Sequence, residues 1–179
     1  MDRMERRLRK LPIGTPMREA DIVRRGAEES NSLRLLGALS ITVYRKDGRV
    51  EERGVVCRKM VSTVFVNLLV DALQGDTAPL ETFRYHDSGT GTTPPAITDT
   101  ALASACGDPK DEGTQTEGDA AHVYKSVATH TYGGTFDITE HGLFNADDAL
   151  MDRSTFTAIG VDIGDQIRYM YELTCVAGG

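Results

Sequence analysis

Four histidines, His86, His122, His130 and His141, are the residues best suited to chemistry, because a neutral imidazole serves both as a metal ligand and as a base near neutral pH. Metal binding requires them to converge. His122 and His130 lie eight residues apart on one alternating segment, roughly 26 Å at about 3.3 Å per residue, so they cannot share an ion within one subunit. His86-Asp87 and Glu140-His141 are adjacent pairs, which an extended backbone sends to opposite faces. No HExxH or HxH spacing is present. The expectation is no metal and no cofactor, leaving only a site built at a symmetry axis from one histidine per subunit.

The other candidates fail on context. Ser88–Pro95, SGTGTTPP, has the glycines of a phosphate loop but no lysine, and Pro94-Pro95 stands where the helix should start. It reads as a turn between strands. Ser88 precedes a glycine, yet GxSxG is absent. Cys57, Cys106 and Cys175 are too few and too widely spaced for a disulfide framework or a zinc knuckle. They read as buried free thiols, which suits assembly in a reducing cytosol. Asp108, Asp111, Glu112, Glu117 and Asp119 lack the spacing of an EF-hand and read as solvated charge on a long loop, 107–120. Nothing supplies a convergent nucleophile, acid and base, so no catalytic residue and no small-molecule substrate are expected.

Charge is divided along the chain. The total is −7 with a pI near 5.1. Residues 1–30 carry eight basic and six acidic side chains, and the remaining 149 carry twelve and twenty-one. Arg3, Arg6, Arg7, Arg9, Lys10, Arg18, Arg24 and Arg25 therefore form a basic arm, 1–35, punctuated by Pro12, Gly14 and Pro16 and too polar to fold alone. No aromatic residue interleaves the cations to stack on bases, and the body is acidic, so a protein surface is preferred over nucleic acid as the arm's partner. The acidic body of a sister subunit is one such surface. No apolar run reaches 18 residues and the start lacks a signal-peptide core, so no membrane partner is expected.

The elements that would position these groups are mostly strands. The exception is 61–74, where Val61, Val64, Phe65, Leu68, Leu69, Ala72 and Leu73 recur at helical spacing, with Ser62 or Thr63 to cap the start and Gly75 to end it. Leu39, Ile41 and Val43 alternate before an Asp47-Gly48 hairpin signal. Strands are also predicted at 81–86, 122–132, 135–140, 155–161 and 166–175; in the last, Ile167, Tyr169, Tyr171, Leu173 and Cys175 share a face. Seven or eight strands with turns every ten residues or so predict a mainly β fold. The expected form is an antiparallel, jelly-roll-like sandwich over 36–179 with one packed helix. Val64, Phe65, Leu68, Leu69, Phe136, Ile138, Phe144, Ile167, Tyr169 and Leu173 are its expected core.

Two stretches carry a family resemblance. Residues 83–104, FRYHDSGTGTTPPAITDTALAS, combine a short strand, Gly-Thr-Gly-Thr and a spaced Asp-Thr-Ala-Leu. Residues 138–174 begin with Glu140-His141-Gly142-Leu143-Phe144-Asn145 and continue through a Gly-Asp turn into a final alternating strand. Together with the upstream hairpin and helix, they make residues 36–178 resemble structural proteins of tailed-bacteriophage virions, including capsid decoration (cement) proteins and tail or fibre modules. The resemblance implies a non-enzymatic virion protein assembled in the host bacterial cytoplasm. Its partners would be the major capsid protein and neighbouring copies of itself, as a homotrimer; a tail or tail-fibre component is the alternative. Gly142 is read as permitting a backbone excursion, with Leu143 and Phe144 plugging the open end of the sandwich.

Overall fold

The computed structural model describes residues 33–75 and 80–177. Residues 1–32 of the expected arm, with its eight cations Arg3 to Arg25, lie outside the described residues. Arg34–Val176 form one compact unit.

Its strands are β1 (Arg34–Tyr44), β2 (Val50–Met60), β3 (Tyr85–Gly89), β4 (Asp111–Glu112), β5 (Thr114–Glu117), β6 (Val123–Thr131), β7 (Phe136–Phe144), β8 (Leu150–Val161) and β9 (Gln166–Val176). One helix, α1 (Thr63–Gln74), and a 3-10 turn (Leu80–Thr82) lie between β2 and β3. The strands form two sheets, ordered β2-β1-β9-β6-β5 and β4-β3-β7-β8. Every strand pair is antiparallel. The protein is a mainly β sandwich of two antiparallel sheets with one packed helix.

Local chemistry explains the punctuation. Gly48 adopts φ 87° in the Asp47-Gly48 turn, and Asp47 Oδ1 accepts the Arg49 amide. The Ser62 hydroxyl accepts the Phe65 amide at 3.1 Å and donates to the Leu150 carbonyl at 2.6 Å, so one side chain both caps α1 and fastens it to β8. Gly75 closes the helix at φ 79°. At the far end, buried Asp165 ties three turns together: it accepts from Arg45 and from the Lys46 and Asp162 amides, while its own carbonyl accepts the Tyr132 amide.

The helix is less buried than its periodicity predicts. Phe65 alone is fully buried, packing edge-to-face on Phe83 with ring centroids 5.1 Å apart. Val64, Leu68 and Leu69 are half-buried, and Leu73 is 82% exposed. Among the described residues the helix packs chiefly on β8 and the 3-10 turn, a narrow contact that leaves Leu73, in its last turn, exposed. Ile138, Ile167, Tyr169 and Leu173 lie in the interior and Phe136 is half-buried against it, whereas Phe144 is buried outside both apolar clusters, its ring beside Gly142.

Two further readings are corrected. Residues 107–120 are not one long loop: β4 adds to the β3 edge, Gly113 crosses over, and β5 adds to the β6 edge of the other sheet. Ordinary alternation is invisible there, because these short edge strands bury little. Likewise, Gly142 makes no excursion. It sits within a continuous β7, where a Cβ would lie 2.7 Å from the Phe144 ring and 3.0 Å from Leu102.

Replacing Phe65 by Ala should cost about 3–5 kcal/mol of unfolding free energy in urea titrations. Leu73→Ala should stay within about 0.5 kcal/mol. Equal costs would show that the helix is seated differently.

Candidate functional site

The interior falls into two apolar clusters. One gathers Leu39, Ile41, Val43, Ile138, Ile159, Val161, Ile167 and Tyr169. The other gathers Val61, Phe65, Phe83, Leu143, Met151, Tyr171 and Leu173. Between the two clusters, four strands turn polar residues inward. These residues are His86 on β3, Ser126 on β6, His141 on β7, and Ser154 and Asp152 on β8, all buried.

This seam is bonded across both sheets. His86 Nε2 lies 2.8 Å from Ser126 Oγ, and His86 Nδ1 lies 2.9 Å from His141 Nε2. The His141 ring leans on Tyr169, with centroids 4.6 Å apart. Tyr169 Oη meets Tyr132 Oη at 2.7 Å, which meets Ser88 Oγ at 3.0 Å. Asp152 accepts from Ser154 at 2.8 Å and from Tyr171 at 3.5 Å. Small residues make the room. A Cβ at Gly113 would fall 2.7 Å from Ser126 Oγ and 2.9 Å from His86 Nε2, and one at Gly37 would fall 2.6 Å from Tyr171 Oη.

Burial holds both histidines neutral: the His86 pKa falls to about 3, and that of His141 falls well below its usual value, lowered further by His86. Ser126–His86–His141 has the outline of a nucleophile, a base and an orienting group. Nucleophilic catalysis also needs an approach for substrate. Ser126 is 0% exposed and both histidines 1%. The arrangement is sealed.

The outer face of the β3–β7–β8 sheet carries a second assembly. Glu140 is 0% exposed, although it points away from the interior, because residues 90–105 lie over it as a lid. Its Oε1 accepts the Gly91 amide at 3.0 Å and the Ser104 amide at 2.7 Å. Its Oε2 accepts the Ala103 amide at 3.1 Å and Arg153 Nε at 2.7 Å. Arg153 then reaches Asp99 at 3.0 Å and the Thr93 carbonyl at 3.1 Å. Thr139 adds a bond to the Gly91 carbonyl at 2.9 Å, and the Thr63 amide of α1 bonds the Ile97 carbonyl at 2.7 Å. Burial alone would raise the Glu140 carboxyl, but the Ser104 amide, Arg153 and the Ala103 amide outweigh it and hold it below its ordinary value.

A bulge makes this two-sided strand possible. Between the pairs Ile138–Ile159 and Glu140–Thr155 the register shifts, with one β7 residue opposing Phe156, Thr157 and Ala158. The shift turns Glu140 outward and leaves both Ile138 and His141 facing in.

A third polar cluster lies at the sheet edge, where His130 bonds Asp111 through Nδ1 and approaches Asp108 at 3.3 Å through Nε2. Burial opposes charge on His130, but the two carboxylates prevail and raise its pKa. Among the described residues, no group of three or more His, Cys, Asp or Glu side chains is arranged to hold a metal ion. His122 and His130, weighed together in the sequence reading, do not meet. His86 and His141, which that reading leaves unpaired, do, as diagonal neighbours on β3 and β7. That contact joins positions 55 residues apart, and nothing local in the sequence signals it. The Glu140–Arg153 pairing is likewise absent from the sequence reading, since it joins two strands and nothing local signals it. The thiols are free: Cys57 is buried and Cys106 and Cys175 are half-buried, with burial pushing the Cys106 pKa up to about 11. No helix among the described residues is long and apolar enough to cross a membrane.

No family model matches the chain, and neither a curated protein nor a solved structure does.

Replacing Glu140 by Ala strands Arg153 and three amides, and should cost about 3–5 kcal/mol. Hydrogen exchange at Gly91, Ala103 and Ser104 should accelerate more than exchange in β1 and β9. Unchanged lid protection would mean that the clamp does not hold it.

Proposed function

We propose that this protein is a non-enzymatic structural protein of a tailed-bacteriophage virion, acting as a capsid decoration protein on the outer face of the major-capsid lattice. The observation that carries the reading is the Glu140 clamp. The two stretches that resemble phage virion proteins, 83–104 and 138–174, are distant in sequence, yet Glu140 and Arg153 of the second hold the Gly-Thr lid of the first. What resembles the family is thus a single physical unit.

The character of the surface supports the same reading. The lid is exposed over most of its length but fixed by backbone hydrogen bonds, and from 90 to 105 its only charged residue is Asp99, which Arg153 already engages. A rigid surface suits binding, because little freedom is lost when a partner docks. The sealed Ser126–His86–His141 row offers no competing catalytic site. In this reading the partners are the major capsid protein and sister copies in a homotrimer, and the basic arm Arg3–Arg25 reaches the acidic body of a neighbour.

The test is a mixing experiment with heads that lack the protein. Light scattering should give three times the 19.5 kDa chain mass, and co-sedimentation should saturate at hundreds of copies per head. Protein that ignores heads, or binds a few copies at one vertex, assigns it to the tail instead. Deleting residues 2–30 should leave a folded body with weakened docking.

A further inference from the structure

The seam and the lid share two strands, and this sharing carries an inference independent of the partner. β3 and β7 pair along Tyr85–Gly89 and Glu140–Phe144. His86 and His141 join these strands on the inner face, while the same strands hold the lid on the outer one. Glu140, adjacent to His141, takes the Gly91, Ala103 and Ser104 amides. Just past His86, the Ser88 carbonyl accepts the Cys106 amide and Gly89 bridges Ala105.

We propose that the His86–His141 pair is an acid-responsive latch: proton uptake by the pair parts β3 from β7 and frees the lid, residues 90–105, while the rest of the sandwich stays folded.

The geometry gives the reason. In the neutral pair one ring N–H donates to the other ring's lone pair across 2.9 Å. A first added proton places a charge in a sealed interior. A second sets two N–H donors and two like charges face to face, and the contact is lost. The neighbouring carboxylates are already engaged. Asp111, opposite His86 on β4, is bonded by His130, and Asp152 on β8 accepts from Ser154 and Tyr171. From β6 and β9 the facing groups are Ser126 and the Tyr169 ring, neither of which neutralises a cation. Asp87 neighbours His86 in sequence and accepts the Ser88 amide.

The sign follows from linkage. Both histidines have lowered pKa values in the folded state, so the stability they contribute is complete above the ordinary value of 6.5 and is lost as pH falls toward the folded value, about 3 for His86. In that window the opening constant rises up to tenfold per pH unit for each proton taken up. Glu140, held low, stays ionised until below its ordinary 4.5. Asp87, whose carboxyl burial holds above its ordinary value, works against opening as pH falls, so an acid-driven opening between pH 6.5 and 5 comes from the histidines. His130 works in the opposite direction: its pKa is raised, and its contribution is lost as pH rises.

The experiment is amide hydrogen exchange on the full chain between pH 7 and 5, corrected for intrinsic rates. His130→Gln removes the opposing titration and serves as the background. Opening at Thr90, Gly91, Ala103, Ser104 and Cys106 should increase at least tenfold by pH 5, while β1 and β9 amides keep their protection. The double variant His86→Gln/His141→Gln should be flat. Lid opening that persists in the double variant overturns the proposal, as does lid protection that is constant with pH. Loss of lid and core protection together also overturns it, since that is global acid unfolding. If the double variant fails to fold, the single variants His86→Gln and His141→Gln decide: a pH slope of lid opening that falls in both upholds the latch, and a slope unchanged in both sinks it.

Discussion

The structure depends on one buried carboxylate. An ionised group with no exposure is tolerated only when its lone pairs are filled, and Glu140 fills them with three backbone amides and one guanidinium. That requirement fixes much around it. The lid must lie where its amides can converge, Arg153 must project from the outer face of β8, and Gly91 must lack a side chain, since a Cβ there would sit 2.4 Å from Glu140 Oε1. The lid has few apolar residues to bury, so the hydrophobic effect alone would not seat it. An electrostatic clamp orders the segment while leaving its surface exposed.

The seam does comparable work inside. A sandwich of this size could have one continuous apolar core; here the core is interrupted by a row of polar residues on β3, β6, β7 and β8. Such a row contributes little net stability, because each hydrogen bond replaces one made to water. Its effect falls on register. A shift of any one strand by two residues keeps the apolar alternation, but strands His86 against a hydrocarbon neighbour. Gly113 and Gly37 enforce the same register sterically.

These facts explain what was legible in the sequence. The caps of α1, the Asp47-Gly48 hairpin and the alternation of β9 are local signals, and the structure reproduces them. The sandwich class followed from them. β7 was harder to read, because Glu140 and His141 are both buried, on opposite faces, and a bulge reverses the inward parity between Ile138 and His141. A period-two rule assumes one wet face, and the lid removes it. The extent of burial on α1 was likewise unreadable, since periodicity reports which face is apolar and not how much of it finds a partner. The His86–His141 and Glu140–Arg153 contacts are tertiary pairings between strands, and no window along the chain contains their cause.

Catalytic sites and docking surfaces make opposite demands on polar groups. A catalytic site leaves its reactive atoms reachable and partly unsatisfied, so that substrate completes the bonding. In this protein the most reactive row, Ser126–His86–His141, is bonded and sealed. The Glu140 carboxylate is likewise consumed by the lid. The exposed lid carries the hydroxyls of Thr92, Thr98 and Thr100, held on a fixed backbone, while that of Thr93 accepts from Arg153. The chemistry has been spent internally on holding a shape, and the surface that results is uncharged on an otherwise acidic body. If the lid is a docking surface, as proposed, it offers a fixed backbone whose one charge, Asp99, is already engaged, which favours docking by fit over docking by charge.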